Sequence, residues 1–85
     1  MFIHLGGDTV IRSKDVIAIL DRQVKETSET IGEFLEFYQQ EDKVEEIAKD
    51  MSKSIVITSE KVYLSPISSS TLKRRALFVS DIEDI

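Results

Sequence analysis

Val16 to Leu20 reads VIAIL, five apolar residues with no polar one between them, and this run constrains the fold more than any other feature of the chain. An extended strand turns alternate side chains to opposite faces, so an unbroken apolar run of strand length has to be covered on both sides. The expectation is a strand in the middle of a sheet, with packed material above and below it. In a chain of 85 residues that demand is hard to meet, because a domain this small buries only roughly 60–65% of the surface its unfolded chain exposes. There is no cysteine, which removes disulfides and thiolate metal sites as reinforcement. Oligomerisation is the remaining common solution.

The rest of the chain supplies the partners of that strand. Phe2 to Leu5 is β-branched and aromatic, and Gly6-Gly7-Asp8 turns it into Thr9 to Arg12, a hairpin. From Ser28, a candidate N-cap, Ile31, Phe34, Leu35 and Tyr38 fall at helical spacing with Glu33 and Glu36 on other faces. Val44, Ile47, Ala48 and Met51 repeat that spacing after Asp42, so periodicity alone favours helix there as well. Two short strands follow, Ser54 to Thr58 and Val62 to Leu64, joined by Ser59-Glu60-Lys61 and closed by Pro66, which has no N–H to give a ladder. A last helix begins in SSST, capped by Ser69 or Ser70, and runs to about Val79. The fold class is α+β: a small mixed sheet of about five to six short strands with two helices, one central and one C-terminal. With 41% hydrophobic residues and no long polar tract, residues 1–85 read as one compact domain. No basic N-terminal region precedes an apolar stretch, and no window approaches the roughly 18 apolar residues of a membrane span, so a cytoplasmic protein is expected.

The formal net charge of −5 conceals a segregation: +1 over residues 1–25, −7 over 26–50, +4 over 51–79 and −3 over 80–85. A bipolar chain makes head-to-tail contacts or presents one basic face to a polyanion, and charge alone does not choose. Little else suggests chemistry. His4 is the only histidine and reads as a structural or surface residue, lacking a cysteine or second histidine to build a site with. Glu41, Asp42, Glu45, Glu46 and Asp50 match no calcium loop and read as a solvated acidic face. Asp8 after two glycines is a turn, and Ser68 to Ser70 lack a nucleophile-elbow frame. No metal, cofactor, catalytic residue or small-molecule substrate is expected.

One basic stretch stands out, SSSTLKRRALF at residues 68–78. With Ser70 as N-cap, Lys73, Arg74 and Arg75 lie at or just past the positive end of the helix dipole, which costs about 0.3–1 kcal/mol for each charge in the first turn at low salt. An anion held by Ser69, Ser70 and these cations would relieve that cost, and so would carboxylates from residues 26–50 or from the tail. At about 100° per residue the three cations fan around the helix while Leu72, Ala76 and Val79 share a core-facing stripe. Leu77 and Phe78 point elsewhere, which makes them candidate oligomer contacts, with cover by the C-terminal tail as the alternative.

At IHLG (residues 3–6), SIVIT (54–58), YLSP (63–66) and above all SPISSSTLKRRA (65–76) the chain resembles the RemB (YaaB) family of bacterial extracellular matrix regulators, relatives of the RemA proteins. The likeness covers nearly the full length. It implies a small protein that activates biofilm matrix genes, and RemA-like members bind DNA and form rings. It also implies a strand over residues 43–48, against the helical spacing of Val44, Ile47 and Ala48, and strand is adopted. RemA-like proteins carry a basic loop before the SIVIT-type strand and an arginine before the VIAIL-type strand. Here those places hold Asp50-Met51-Ser52-Lys53 and Asp15. Only Lys53 keeps the charge, and aspartates repel a phosphate backbone, so the DNA surface of those relatives is largely missing.

Two functions are therefore expected to compete. One is an oligomeric transcriptional regulator, in a ring if the relatives are a guide, touching promoter DNA through Lys53, Lys73, Arg74, Arg75, Ser69 and Ser70. The other is an oligomeric interaction protein that acts through a partner regulator without touching DNA.

Overall fold

The structure, a computed structural model, describes residues 2–83, and from residue 77 onward its backbone only. Strands β1 (Phe2–Gly6) and β2 (Thr9–Arg12) form the expected antiparallel hairpin, with Ile3 opposite Ile11 and His4 opposite Val10. Alternation turns Ile3, Leu5 and Ile11 into the core and leaves Phe2, His4, Val10 and Arg12 outside. The turn runs through Gly6 and Gly7, both at positive φ, and the pairing register shifts between His4 and Gly6.

A single 3-10 turn (Ser13–Asp15) leads into β3 (Val16–Asp21). After it come a one-turn helix α1 (Val24–Thr27), the longer α2 (Glu29–Gln40), and the strands β4 (Val44–Glu46), β5 (Ser54–Thr58) and β6 (Val62–Ser65). The last four strands share one mixed sheet in the order β3-β5-β6-β4, antiparallel except for the parallel pair β4 and β6. The six strands are thus divided between a hairpin and a four-stranded sheet.

The VIAIL strand is not central. It is an outer strand, and Ile17, which falls at a register shift in the pairing with β5, is 67% exposed. SIVIT holds the inner place instead, with Ser54, Ile55, Val56 and Thr58 buried. An apolar run specifies cover, not the neighbour that provides it; strand order is set by long-range pairing that no local pattern encodes.

Ser28 caps α2 by accepting the Ile31 N–H at 3.3 Å. The apolar stripe of the helix is only half-buried at Ile31, Phe34, Leu35 and Tyr38, and an open groove of about 310 Å³ is lined by Leu35 together with Val44 and Leu64 of the sheet. Asp42, at φ 57°, ends the helical path, and the chain then joins the sheet through Val62 N–H to Lys43 O at 2.8 Å and Ile47 N–H to Leu64 O at 3.0 Å. Strand, as the family likeness implied, is therefore the conformation of residues 44–46. Val44 and Ile47, one helix face on the spacing argument, serve opposite sides of the sheet, Val44 under α2 and Ile47 against the core.

The other sheet face is covered by the hairpin and by α3 (Ser69–Glu83). Its core joins Ile3, Leu5, Ile11, Ile19, Val56 and Leu72, with Val16, Tyr63, Ile67 and Ala76 packed around them. The α3 cap is Ser68, one residue ahead of the expected Ser69 or Ser70: its hydroxyl accepts the Thr71 N–H at 3.4 Å and donates to Thr71 Oγ1 at 2.9 Å. Three adjacent serines are equivalent as cap formers, so residue type could not choose. The helix also continues beyond Val79, to Glu83.

Ser65 links the two halves. Its hydroxyl is buried, donates to Leu5 O at 2.6 Å and accepts the Ile67 N–H at 3.1 Å. Ser65→Ala strips both groups of this partner, which should lower unfolding free energy by about 2 kcal/mol. Urea denaturation of the variant checks this, and a loss within experimental error of zero would count against it.

Candidate functional site

The structure divides the expected anion-binding residues into two groups. Lys73, Arg74 and Arg75 are all exposed on α3 and fan around it as the wheel requires. Arg75 turns back on the fold, its Nη1 donating to His4 O of β1 at 3.0 Å. Lys73 and Arg74 make no side-chain hydrogen bond or ion pair among the described residues. With Ser68 as cap, Lys73 falls at the fifth helical position instead of the third, so the dipole penalty inferred for it largely vanishes. Ser70 Oγ sits 3.3 Å from Ser68 Oγ and belongs to the cap, while Ser69 is half-buried at the first helical position. The Leu77 and Phe78 side chains lie outside the described residues.

Lys53 belongs to the second group. It borders a cleft of about 440 Å³ at the start of α3, shared with Arg22, Ser68, Asp21 and Glu26. Arg22 is not among the residues that the sequence singles out. It arrives there because β3 and β5 run antiparallel, and the Arg22 N–H donates to the Lys53 carbonyl at 3.1 Å. Only the strand pairing, 31 positions apart along the chain, brings the two cations together, so no local motif could have announced them.

The electrostatics of the cleft are mixed. Arg22 Nη1 donates to Ser52 O at 3.3 Å, which fixes the guanidinium at the rim. Asp21 Oδ1 is occupied by the Gln23 N–H at 2.9 Å. Two cations thus face two carboxylates, one of them engaged with its own backbone. Across the sheet, Glu45 departs from the solvated acidic face read from the sequence. Its Oε1 accepts from Lys61 Nζ at 2.7 Å and its Oε2 from Thr9 at 3.5 Å, strapping the hairpin and the residue ahead of β6 to β4. The Glu45 hydrogen bond holds the Lys61 ammonium above its ordinary pKa. His4 Nε2 donates to Gly7 O at 2.8 Å within its own turn. Among the described residues no three metal-ligating side chains converge, and no helix is long and apolar enough to cross a membrane.

A short mixed sheet braced by a hairpin and covered by helices makes this a small α+β protein. Comparison with known families adds its kinship. The RemA-like family model, described as extracellular matrix regulatory protein A-like, matches residues 2–76, and the chain belongs to this family. It is also 42% identical to extracellular matrix regulatory protein B of Bacillus subtilis (strain 168) over 83 residues, which are 98% of this chain and 99% of that protein.

Proposed function

We propose that the chain is a non-enzymatic regulator of extracellular matrix (biofilm) gene expression that works as a homo-oligomer in contact with promoter DNA. The regulatory part draws on the role for which the Bacillus subtilis relative is named. The observation that carries DNA contact is the cleft where Arg22 and Lys53 meet the start of α3, because helix-terminal N–H groups and flanking cations suit a phosphate. One such cleft is weak. Repeated around an oligomer, a closed ring included, it gains avidity with no change in the cleft itself.

The test is a titration of promoter DNA at several salt concentrations. Affinity should fall steeply with salt, and the double variant Arg22→Ala, Lys53→Ala should flatten the log–log slope by about 2 for each subunit that engages the DNA, close to 0.9 for each phosphate no longer neutralised. No binding by the wild type even at low salt overturns DNA contact. A second reading has its own support: Asp21 and Glu26 offset the cations of the cleft, and Arg75 is engaged with His4. In that reading the oligomer acts through a partner regulator, and oligomer mass persists in a wild-type protein that does not bind DNA.

A further inference from the structure

Both outer strands of the four-stranded sheet turn unshared backbone groups outward. The Arg22 N–H to Lys53 O bond joins residues one step beyond the Asp21–Ser54 pair. Bonded and unbonded pairs alternate in an antiparallel ladder. Ala18 and Leu20 therefore direct their N–H and C=O groups to β5, and Ile19 and Asp21 direct theirs away, where no strand follows. At the far side, Val62 N–H to Lys43 O and Ile47 N–H to Leu64 O fix the parallel ladder of β4 and β6. Val44 and Glu46 then point their backbone groups outward, and again no strand follows.

The two edges differ in charge. β3 is flanked by exposed Lys14 and Arg22, while its neighbouring acids are engaged, Asp15 by Arg12 at 3.0 Å and Asp21 by the Gln23 N–H. β4 is preceded by exposed Glu41, Asp42 and Lys43 and ends in exposed Glu46, so acids outnumber bases along it. Lysine or proline inside a strand keeps a free edge from pairing, and β3 has neither. Its irregularity at Ile17 confines straight pairing to Ala18–Asp21 and leaves Ile17 exposed. Two β3 strands paired antiparallel about Ala18 would set Lys14 against Arg22 and Asp15 against Asp21, like charge against like. The β4 edge of another copy, with its excess of acids, instead offers opposite charge to the exposed Lys14 and Arg22.

We infer that β3 of one copy receives the β4 edge of a second copy, extending the sheet head to tail with Ile17 as the apolar anchor. The inference rests on the oligomeric reading above and names its surface, in place of a contact through Leu77 and Phe78. It also gives Ile17, 67% exposed in a single chain, a neighbouring strand. Such a contact is heterologous, and it closes into a ring where the rotation between copies allows.

Size exclusion with light scattering tests it. The wild type should assemble, while Ile17→Lys and Glu46→Pro should each run at monomer mass; both sites are exposed, and the Glu46 N–H points away from β6, so circular dichroism should stay unchanged. Mixed in equal amounts the two variants should form a dimer, since each keeps the edge the other has lost. Either variant at wild-type mass, or a mixture that stays monomeric, overturns the inference. A monomeric wild type would instead overturn the oligomeric reading beneath it. Should a variant unfold, hydrogen exchange on the assembled wild type decides: Ile19 and Asp21 amides should be as protected as those of Ala18 and Leu20, and fast exchange at the first pair rules the contact out.

Discussion

Leu72→Ala is expected to lower unfolding free energy by about 3 kcal/mol and the thermal midpoint by roughly 12–24 °C. Leu72 is 0% exposed and, among the described residues, is the α3 member of the innermost core, where it joins Ile3 and Leu5 of the hairpin and Ile19 and Val56 of the sheet. Truncation removes the burial of its side chain and leaves a cavity, since strands paired on both sides of the site cannot close over it. For a chain of this length the whole stability is about 4–13 kcal/mol, so the change takes a large fraction of it. Phe37→Ala on the exposed face of α2 is the matched control, within about 0.5 kcal/mol of wild type. Equal urea midpoints for the two variants would show that α3 does not carry the core.

Gly6→Ala should cost about 3 kcal/mol, from two sources that act together. Gly6 has φ +114°, a conformation side-chain-bearing residues rarely adopt, and a Cβ there would stand 2.9 Å from Pro66 Cγ and 3.1 Å from Cδ. The proline ring cannot swing aside like the end of a long side chain, so β1 or the segment after β6 would have to move. Gly7→Ala separates the sources. Gly7 also has positive φ, +54°, yet its nearest neighbour is Ile47 Cγ2 at an ordinary 3.5 Å, so only the backbone cost of about 1–2 kcal/mol remains. A Gly6→Ala protein no less stable than Gly7→Ala would mean that the turn and Pro66 are not in close contact.

Most elements were legible because their signals are local. The glycine turn of the hairpin, the Ser28 cap, the stripe from Ile31 to Tyr38 and the three-residue link before Val62 each depend on residues within a few positions of one another. Failures came where distant partners decide. VIAIL specified burial, and the fold placed it at an edge. Val44 and Ile47 followed a helical spacing that pairing with β6 overrode, and the likeness at the family level corrected what periodicity had favoured. The candidate site depends on distant partners as well. A run of three cations is conspicuous in a sequence but spreads around a helix, whereas Lys53, which the sequence had singled out, and Arg22, which it had not, meet across a ladder.

The stretch SPISSSTLKRRA, where the family resemblance is strongest, works as a fastener. Ser65 ties Leu5 to Ile67, Ser54 donates to Ile67 O at 2.7 Å, Ser68 starts the helix, Leu72 fills the core and Arg75 reaches His4 O. Nearly every step of the segment is spent on joining hairpin, sheet and helix. Kinship read from these residues therefore reports a shared architecture, while on the proposals made above the choice of ligand would lie in the sheet edges and the cleft. On those proposals, a relative that kept Ser65 to Ala76 and changed Ile17, Arg22, Glu46 and Lys53 would inherit the scaffold and serve a different assembly.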